Sequence, residues 1–222
     1  TVTATKAADA NYNATTATVN VSVGLAHQAA LIGVATPANI VFNATSALST
    51  TGGSGTGAVS YAVTAGNAFC AVAGSTLTGT GVGTCTVTAT KAADANYNAT
   101  TATVNVTVAK AATTTSLSPP TSITLGQSVS VTASVSVTPP GSGTATGTVT
   151  ISDGGTGAGD SCTITLPATS CALTPSTAGN KTLTVTYSGD GNFVASGTGS
   201  LAVDTNATLI ALSSSPNPSK AG

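Results

Sequence analysis

Apolar and polar residues alternate one for one along much of this chain, the period of a strand with one buried and one wet face. From Ser128 to Val137 the odd positions carry Val129, Val131, Ala133, Val135 and Val137, with Ser and Thr between them. Thr182–Tyr187 repeats the pattern with Leu183, Val185 and Tyr187 on one face, and Thr148–Ile151 and Ser200–Val203 continue it. No stretch holds a helical period. Clusters of Gly, Pro, Ser and Thr at 51–57, 139–143 and 154–159 mark loops between strands. The pattern predicts an all-β chain of short strands packed as two-sheet sandwiches.

A duplication sets the larger organisation. Residues 1–21, TVTATKAADANYNATTATVNV, recur without change as residues 86–106, an offset of 85. A more distant copy follows. Aligning Asp94 with Asp190 pairs Val87 with Leu183, Ala89 with Val185, Asn96 with Asn192 and Tyr97 with Phe193. KAADANY and YSGDGNF then occupy one position, a turn between the last two strands of each unit. Asp and Asn can close such a turn on their own backbone, and the aromatic after it can pack across the sandwich mouth.

The tail NATLIALSSSPNPSKAG is similar to AATTTSLSPPTSITLG, which opens the second unit. The predicted boundaries are therefore 1–23 for the closing strands of a preceding repeat, 24–109 and 110–205 for two full domains, and 206–222 for the start of another. The chain carries no Met, which leads to the expectation of a segment of a longer polypeptide. The linkers at Val23–Ala26 and Val108–Ala112 are short and lack Gly/Ser runs, which predicts stiff articulation in a beads-on-a-string array. Arrays of this kind span distance, bear load or present one surface many times.

Composition narrows the function classes. Only 5% of the residues are charged (five Lys, six Asp, no Arg or Glu) for a net charge of −1. A nucleic-acid partner would need a basic stripe, and there is none. No stretch approaches the ~18 consecutive apolar residues of a membrane span. With 41% hydrophobic residues the chain is not a disordered one. Aromatics make up 3%, so each core rests on Val, Ala, Leu and Ile and should be marginal by burial alone.

The cysteines are the expected supplement. Cys70/Cys85 and Cys162/Cys171 fall two to a domain, and of the three possible pairings only this one keeps both bonds inside a domain. Free thiols or a metal are the weaker readings, since no short C-x-x-C pair is present. The spacing is narrower than an inter-sheet bond needs, so Cys162–Cys171 is expected to staple the hairpin CTITLPATSC. Closing the longer Cys70–Cys85 loop should contribute about 3 kcal/mol. Disulfides imply an oxidising compartment.

Catalytic chemistry finds no foothold. His27 is the one imidazole, in a predicted linker, and the acids are scattered turn residues. The Gly-rich stretches lack the Lys of a phosphate loop. No enzyme activity and no cofactor are expected. Calcium is the sharper alternative for Asp94/Asn96 and Asp190/Asn192, but a site needs six to eight oxygens and each turn offers one carboxylate. Alternating Thr at 86, 88, 90, 101, 103, 182, 184 and 186 could form a hydroxyl array for glycan or ice; Thr is also simply a favoured solvent-facing strand residue. The strands are nearly bare of the charges that guard sheet edges, which predicts self-association.

These residues carry a resemblance. TGGSGTGAVSYAV, the Cys70/Cys85 pair and TCTVTATKAADANY resemble bacterial immunoglobulin-like repeats of large surface and secreted proteins. SPPTSITLGQSVSVTASV, GTVTISDG and LTVTYSGDGNF resemble a second bacterial Ig-like repeat type. The resemblance implies tandem Ig-like β-sandwich domains and an extracellular or cell-surface setting, often adhesive. The function expected is a structural one: a stalk, fibre or filament segment whose partners are neighbouring repeats, further copies of the chain, or a glycan or surface ligand. The sequence departs from antibody-type domains in having no Trp.

Overall fold

The computed structural model describes residues 1–118 and 122–206, and every regular element among them is a β-strand. The chain opens with a hairpin, β1 (Val2–Lys6) against β2 (Thr15–Val19), whose residues are all exposed. Two sandwiches follow.

The first sandwich uses β3 (Leu31–Thr36), β4 (Asn39–Val41), β5 (Thr45–Gly52), β6 (Val59–Ala65), β7 (Cys70–Ala73), β8 (Thr76–Gly79), β9 (Gly83–Lys91) and β10 (Thr100–Ala109). They form two four-stranded sheets, ordered β4-β10-β9-β6 and β3-β5-β8-β7. Between them lie Ile40, Leu48, Leu77, Val87, Val106 and Val108, with Cys70 and Cys85. Alternation explains the choice: in β9, Cys85, Val87 and Ala89 are buried while the Thr residues between them are not.

The second sandwich uses β11 (Thr113–Ser118), β12 (Ser122–Thr124), β13 (Val129–Val137), β14 (Thr148–Ser152), β15 (Ser161–Thr165), β16 (Ser170–Leu173), β17 (Gly179–Tyr187) and β18 (Ser196–Asn206). Its sheets are ordered β11-β13-β16 and β12-β18-β17-β14-β15. The core holds Val131, Val149, Ile151, Ile164, Leu173, Leu183, Val185 and Tyr187. In each sandwich a short early strand runs parallel to the last one, β4 along β10 and β12 along β18.

The two sandwiches differ at one strand. β7 pairs with β8, whereas its counterpart β15 pairs with β14 in the opposite sheet. The disulfides follow this switch. Cys70–Cys85 (S–S 2.03 Å) ties β7 to β9, and Cys162–Cys171 ties β15 to β16. Each bond therefore joins strands of opposite sheets. This corrects the reading that the spacing was too narrow for an inter-sheet bond, and that Cys162–Cys171 staples a hairpin. β15 and β16 are consecutive but not hydrogen-bonded to each other; the chain arches from one sheet to the other at Leu166–Thr169, so a separation of 9 residues suffices.

The start of a further repeat, expected over 206–222, lies outside the described residues apart from Asn206.

Candidate functional site

The duplicated turn appears three times with one geometry. Asp9 Oδ1 accepts the backbone N–H groups of Asn11 and Tyr12 at 2.9 Å each. Asp94 Oδ1 does the same for Asn96 and Tyr97, and Asp190 Oδ1 for Asn192 and Phe193. Within the sandwiches the second carboxylate oxygen reaches across to another loop. Asp94 Oδ2 accepts Thr56 N at 2.6 Å, and Asp190 Oδ2 accepts the N–H and hydroxyl of Thr146 at 2.8 and 2.6 Å. Each Asp thus closes its own turn and pins a neighbouring loop onto it.

The electrostatics follow from those donors. Burial pushes the Asp190 carboxyl up, but the bonds from Thr146, Asn192 and Phe193 outweigh it and hold the group at about 2. Asp94 is lowered chiefly by the N–H groups of Asn96 and Thr56. Beside Asp190, the fully buried Tyr187 phenol is pushed up to about 12, by burial first and then by the Asp190 charge. Its hydroxyl has no hydrogen-bond partner among the described residues.

The calcium candidates Asp94, Asn96, Asp190 and Asn192 are all in these turns. Their carboxylate oxygens face N–H and O–H donors, and Asn96 and Asn192 join through the backbone. Among the described residues no cluster of three His, Cys, Asp or Glu is present. His27 is exposed in the segment before β3, as read from the sequence.

Within the two sandwiches the aromatic after the turn sits where two segments meet. Tyr97 bridges Ala26, and Phe193 bridges Ala111, in the same parallel fashion. Ala26 N donates to Asn96 O, and Ala111 N to Asn192 O. Phe193, 2% exposed, also meets Phe42 of the first sandwich edge to face, with ring centroids 5.5 Å apart. Asn43, which has φ 61, adds a bond from its Nδ2 to Ser142 O at 3.0 Å. Left-handed backbone is unusual for a side chain other than Gly, though Asn tolerates it best. A Cβ on Gly143 would lie 3.2 Å from both Asn43 Nδ2 and the Phe193 ring, so glycine permits this approach. Lys110 Nζ donates to Asp190 O across the same junction.

Two groupings escaped the sequence reading. Lys181 lies on the inward side of β17 at 8% exposure, its Nζ 3.5 Å from Asp153 Oδ2 and bonded to Thr177. Asp160, 1% exposed, accepts both the N–H and hydroxyl of Ser176 and the Gly157 N–H, and these bonds lower its carboxyl. The alternation that puts Leu183, Val185 and Tyr187 inward also puts Lys181 there, so the signal was present. The alternating Thr singled out in the sequence falls into a grid, which Thr150, Thr163, Ser152 and Ser161 extend. Register aligns Thr163, Thr150 and Thr186 in one row across β15, β14 and β17, with Ser161, Ser152 and Thr184 in the next. The outer face of the first sandwich carries Thr103 beside Thr88 and Thr101 beside Thr90.

Comparison with known proteins fits this architecture. Residues 114–206 match the family model of the bacterial Ig-like domain (group 3). Among curated proteins none matches the chain. Similar solved structures include the fibronectin(III)-like modules of Clostridium thermocellum CbhA, at 15% identity and TM-score 0.38, covering 81% of this chain and 94% of that one. The Yersinia pseudotuberculosis adhesin InvE matches at 17% identity and TM-score 0.33, covering 80% of this chain and 58% of that one. The D0-D1 domain of intimin matches at 17% identity and TM-score 0.26, covering 80% of this chain and all of that one.

Proposed function

We propose that this chain is a structural segment of a long extracellular bacterial protein, a stalk or fibre built from stiffly linked Ig-like sandwiches. Residues 1–23 are then the closing strands of a preceding repeat, 24–109 and 110–205 are full modules, and 206–222 open the next. One observation carries the reading. Val108 belongs to the first core at 1% exposure and Ala111 to the second at 0%, with only Ala109 and Lys110 between them. So short a connection, clamped by Phe42–Phe193 and Asn43–Ser142, gives the two bodies little room to swing. The offset of 85 maps Val108 and Ala111 onto Val23 and Ala26, and Ala26 bridges Tyr97 as Ala111 bridges Phe193.

The segment works by reach and stiffness rather than by chemistry, needs no metal, and has other repeats and other copies of itself as partners. Small-angle scattering of the full chain is the test. One fixed elongated shape is expected, and electron micrographs of native material should show stalks or fibres; a broad distribution of inter-domain angles would overturn the reading.

A second reading has its own support in the hydroxyl grid of β15, β14 and β17, a face with no charge in either row. Such a face suits a glycan or ice surface. Capture of the chain on a glycan array or by growing ice, abolished by Thr150→Val, would favour it; binding unaffected by that change would not.

A further inference from the structure

The strand that changes sheets leaves one edge of the first sandwich open. In the second sandwich β15 pairs along β14 and closes the five-stranded sheet β12-β18-β17-β14-β15. In the first, β7 pairs with β8 instead, so the matching sheet β4-β10-β9-β6 stops at β6. β6 has seven residues and is the longest edge strand among the described residues. Its stretch Val59–Val63 carries none of the devices that blunt an edge: no charge, no Pro, and no bulge before Val63.

The ladder fixes which backbone groups point outward. Ala92 N donates to Ala58 O at 2.9 Å, so 58 and 92 form a bonded pair. Bonded and non-bonded pairs alternate along an antiparallel ladder, which makes Ser60–Thr90 and Ala62–Thr88 the next bonded pairs. Val59, Tyr61 and Val63 therefore turn their N–H and C=O groups away from β9. None of those groups has a backbone partner among the described residues. The side chains of Val59, Tyr61 and Val63 are half-buried on the inward face, and the exposed Ser60 and Ala62 lie on the other.

The run is also symmetric. Reversed about Tyr61, Val59 falls on Val63 and Ser60 on Ala62. We propose that β6 pairs antiparallel with β6 of a second copy of this chain, on a two-fold axis at Tyr61, so that two four-stranded sheets become one. In that register Val59 faces Val63 of the second copy and Tyr61 faces Tyr61, and the outward N–H and C=O groups satisfy one another. Val meets Val on the inward side, Ser60 meets Ala62 on the outer side, and no like charges oppose across the axis. The second copy fills the edge as β15 fills it on β14, with an uncharged antiparallel strand. A two-fold contact uses one patch on both partners and closes on itself. It therefore ties two stalks side by side and does not lengthen them. The inference names a contact for the self-association proposed above and rests on it.

The register sets the test. Positions 60 and 62 of the two copies form a non-bonded pair, with Cα atoms about 4.5 Å apart, within reach of a disulfide. Full chains carrying Ser60→Cys, isotope-labelled, and Ala62→Cys, unlabelled, are mixed at millimolar concentration with the native disulfides closed. The mixture is mildly oxidised and its cross-links are mapped by peptide mass spectrometry. Bonds from 60 to 62 between labelled and unlabelled chains are expected in excess over 60–60 and 62–62 bonds. In the otherwise unaltered chain, Ala62→Lys, at an exposed position, is expected to remove the dimer from sedimentation profiles with circular dichroism unchanged. If that variant disturbs the fold, Ser60→Lys on the same outer face takes its place. Self-association with no excess of the 60–62 bond, or undiminished by the Lys variants, overturns the β6 contact and leaves self-association standing. An unaltered chain that sediments as a monomer at millimolar concentration overturns both, while the stiffness of the stalk is still judged by scattering at low concentration.

Discussion

Cys162 and Cys171 lie on opposite sheets of the second sandwich, with Cα atoms 5.9 Å apart, and close a side where β15 and β16 meet without hydrogen bonds. Cys70 and Cys85 do the equivalent for the strand that switched the other way. Both bonds thus replace missing backbone pairing between sheets. Their accessibility differs: Cys70 and Cys85 are 3 and 1% exposed, whereas Cys162 and Cys171 are only half-buried. A mild reductant under native conditions should therefore open Cys162–Cys171 first, as differential alkylation and peptide mass mapping would report.

Full removal should rank the other way. The separation of 15 residues for Cys70–Cys85 against 9 for Cys162–Cys171 makes the first bond the larger entropic constraint, about 3 against about 2.5 kcal/mol. Its sulfurs also fill the core. Calorimetry on the paired Ser variants should show a greater fall in melting temperature for the first sandwich; equal falls would contradict this.

The joint should loosen without unfolding when Phe42 is truncated. Phe42 is half-buried and meets Phe193 edge to face, an arrangement worth about 0.5–1.5 kcal/mol beyond area. Phe42→Ala is expected to broaden the inter-domain angle distribution seen by scattering while both sandwiches stay folded. Phe193→Ala empties a core position and should cost the second sandwich about 3–5 kcal/mol.

Asp190 confers acid sensitivity. Its folded carboxyl is held at about 2, below its ordinary 3.8. Stability from a depressed carboxylate is present above the unfolded value and lost as pH falls through the folded one. The second sandwich should therefore lose stability between about pH 4 and pH 2. Asp190→Asn should lower the melting temperature at pH 7 and make no difference near pH 2. A gap that persists at pH 2 would assign the effect to packing instead.

Lys181 and Asp153 form a buried pair, 3.5 Å apart, in which Asp153 Oδ2 has no hydrogen bond among the described residues. Removing one partner of such a pair strands a charge, at a cost of about 3–5 kcal/mol, whereas replacing both with apolar groups is often neutral. Lys181→Met alone should destabilise strongly, and the double change Lys181→Met/Asp153→Leu should recover most of the loss in urea titrations.

Chelation should change nothing. The Asp94 and Asp190 carboxylates are occupied by N–H and O–H donors, so EDTA is expected to leave melting temperature and scattering profile as they were. A drop on EDTA reversed by calcium would restore the metal reading of these turns.

The strands and the turns could be read from the chain because both signals are local. Alternation over Val129–Val137 and Leu183–Tyr187 needs no partner to be recognised, and Asp94 bonds residues two and three positions ahead. The route of the disulfides could not. Whether β7 or β15 joins one sheet or the other is decided by pairing with strands elsewhere, so narrow cysteine spacing alone does not distinguish a hairpin from an arch between sheets. Phe42 offered no signal, since its partner lies 151 positions away (193 − 42). Lys181 is the instructive miss: its place in the odd-numbered series declared it buried, and the habit of placing lysine in water hid that.

The parallel runs of β4 along β10 and β12 along β18 give these modules a definite way to resist tension. Asn39, Ile40 and Val41 lie in register with Thr107, Val108 and Ala109. Pulling the entry and exit of the module apart drags these strands past each other, so the rungs must yield together instead of opening one by one like a zip. Any tension applied across such a module would therefore meet its greatest resistance along those paired strands.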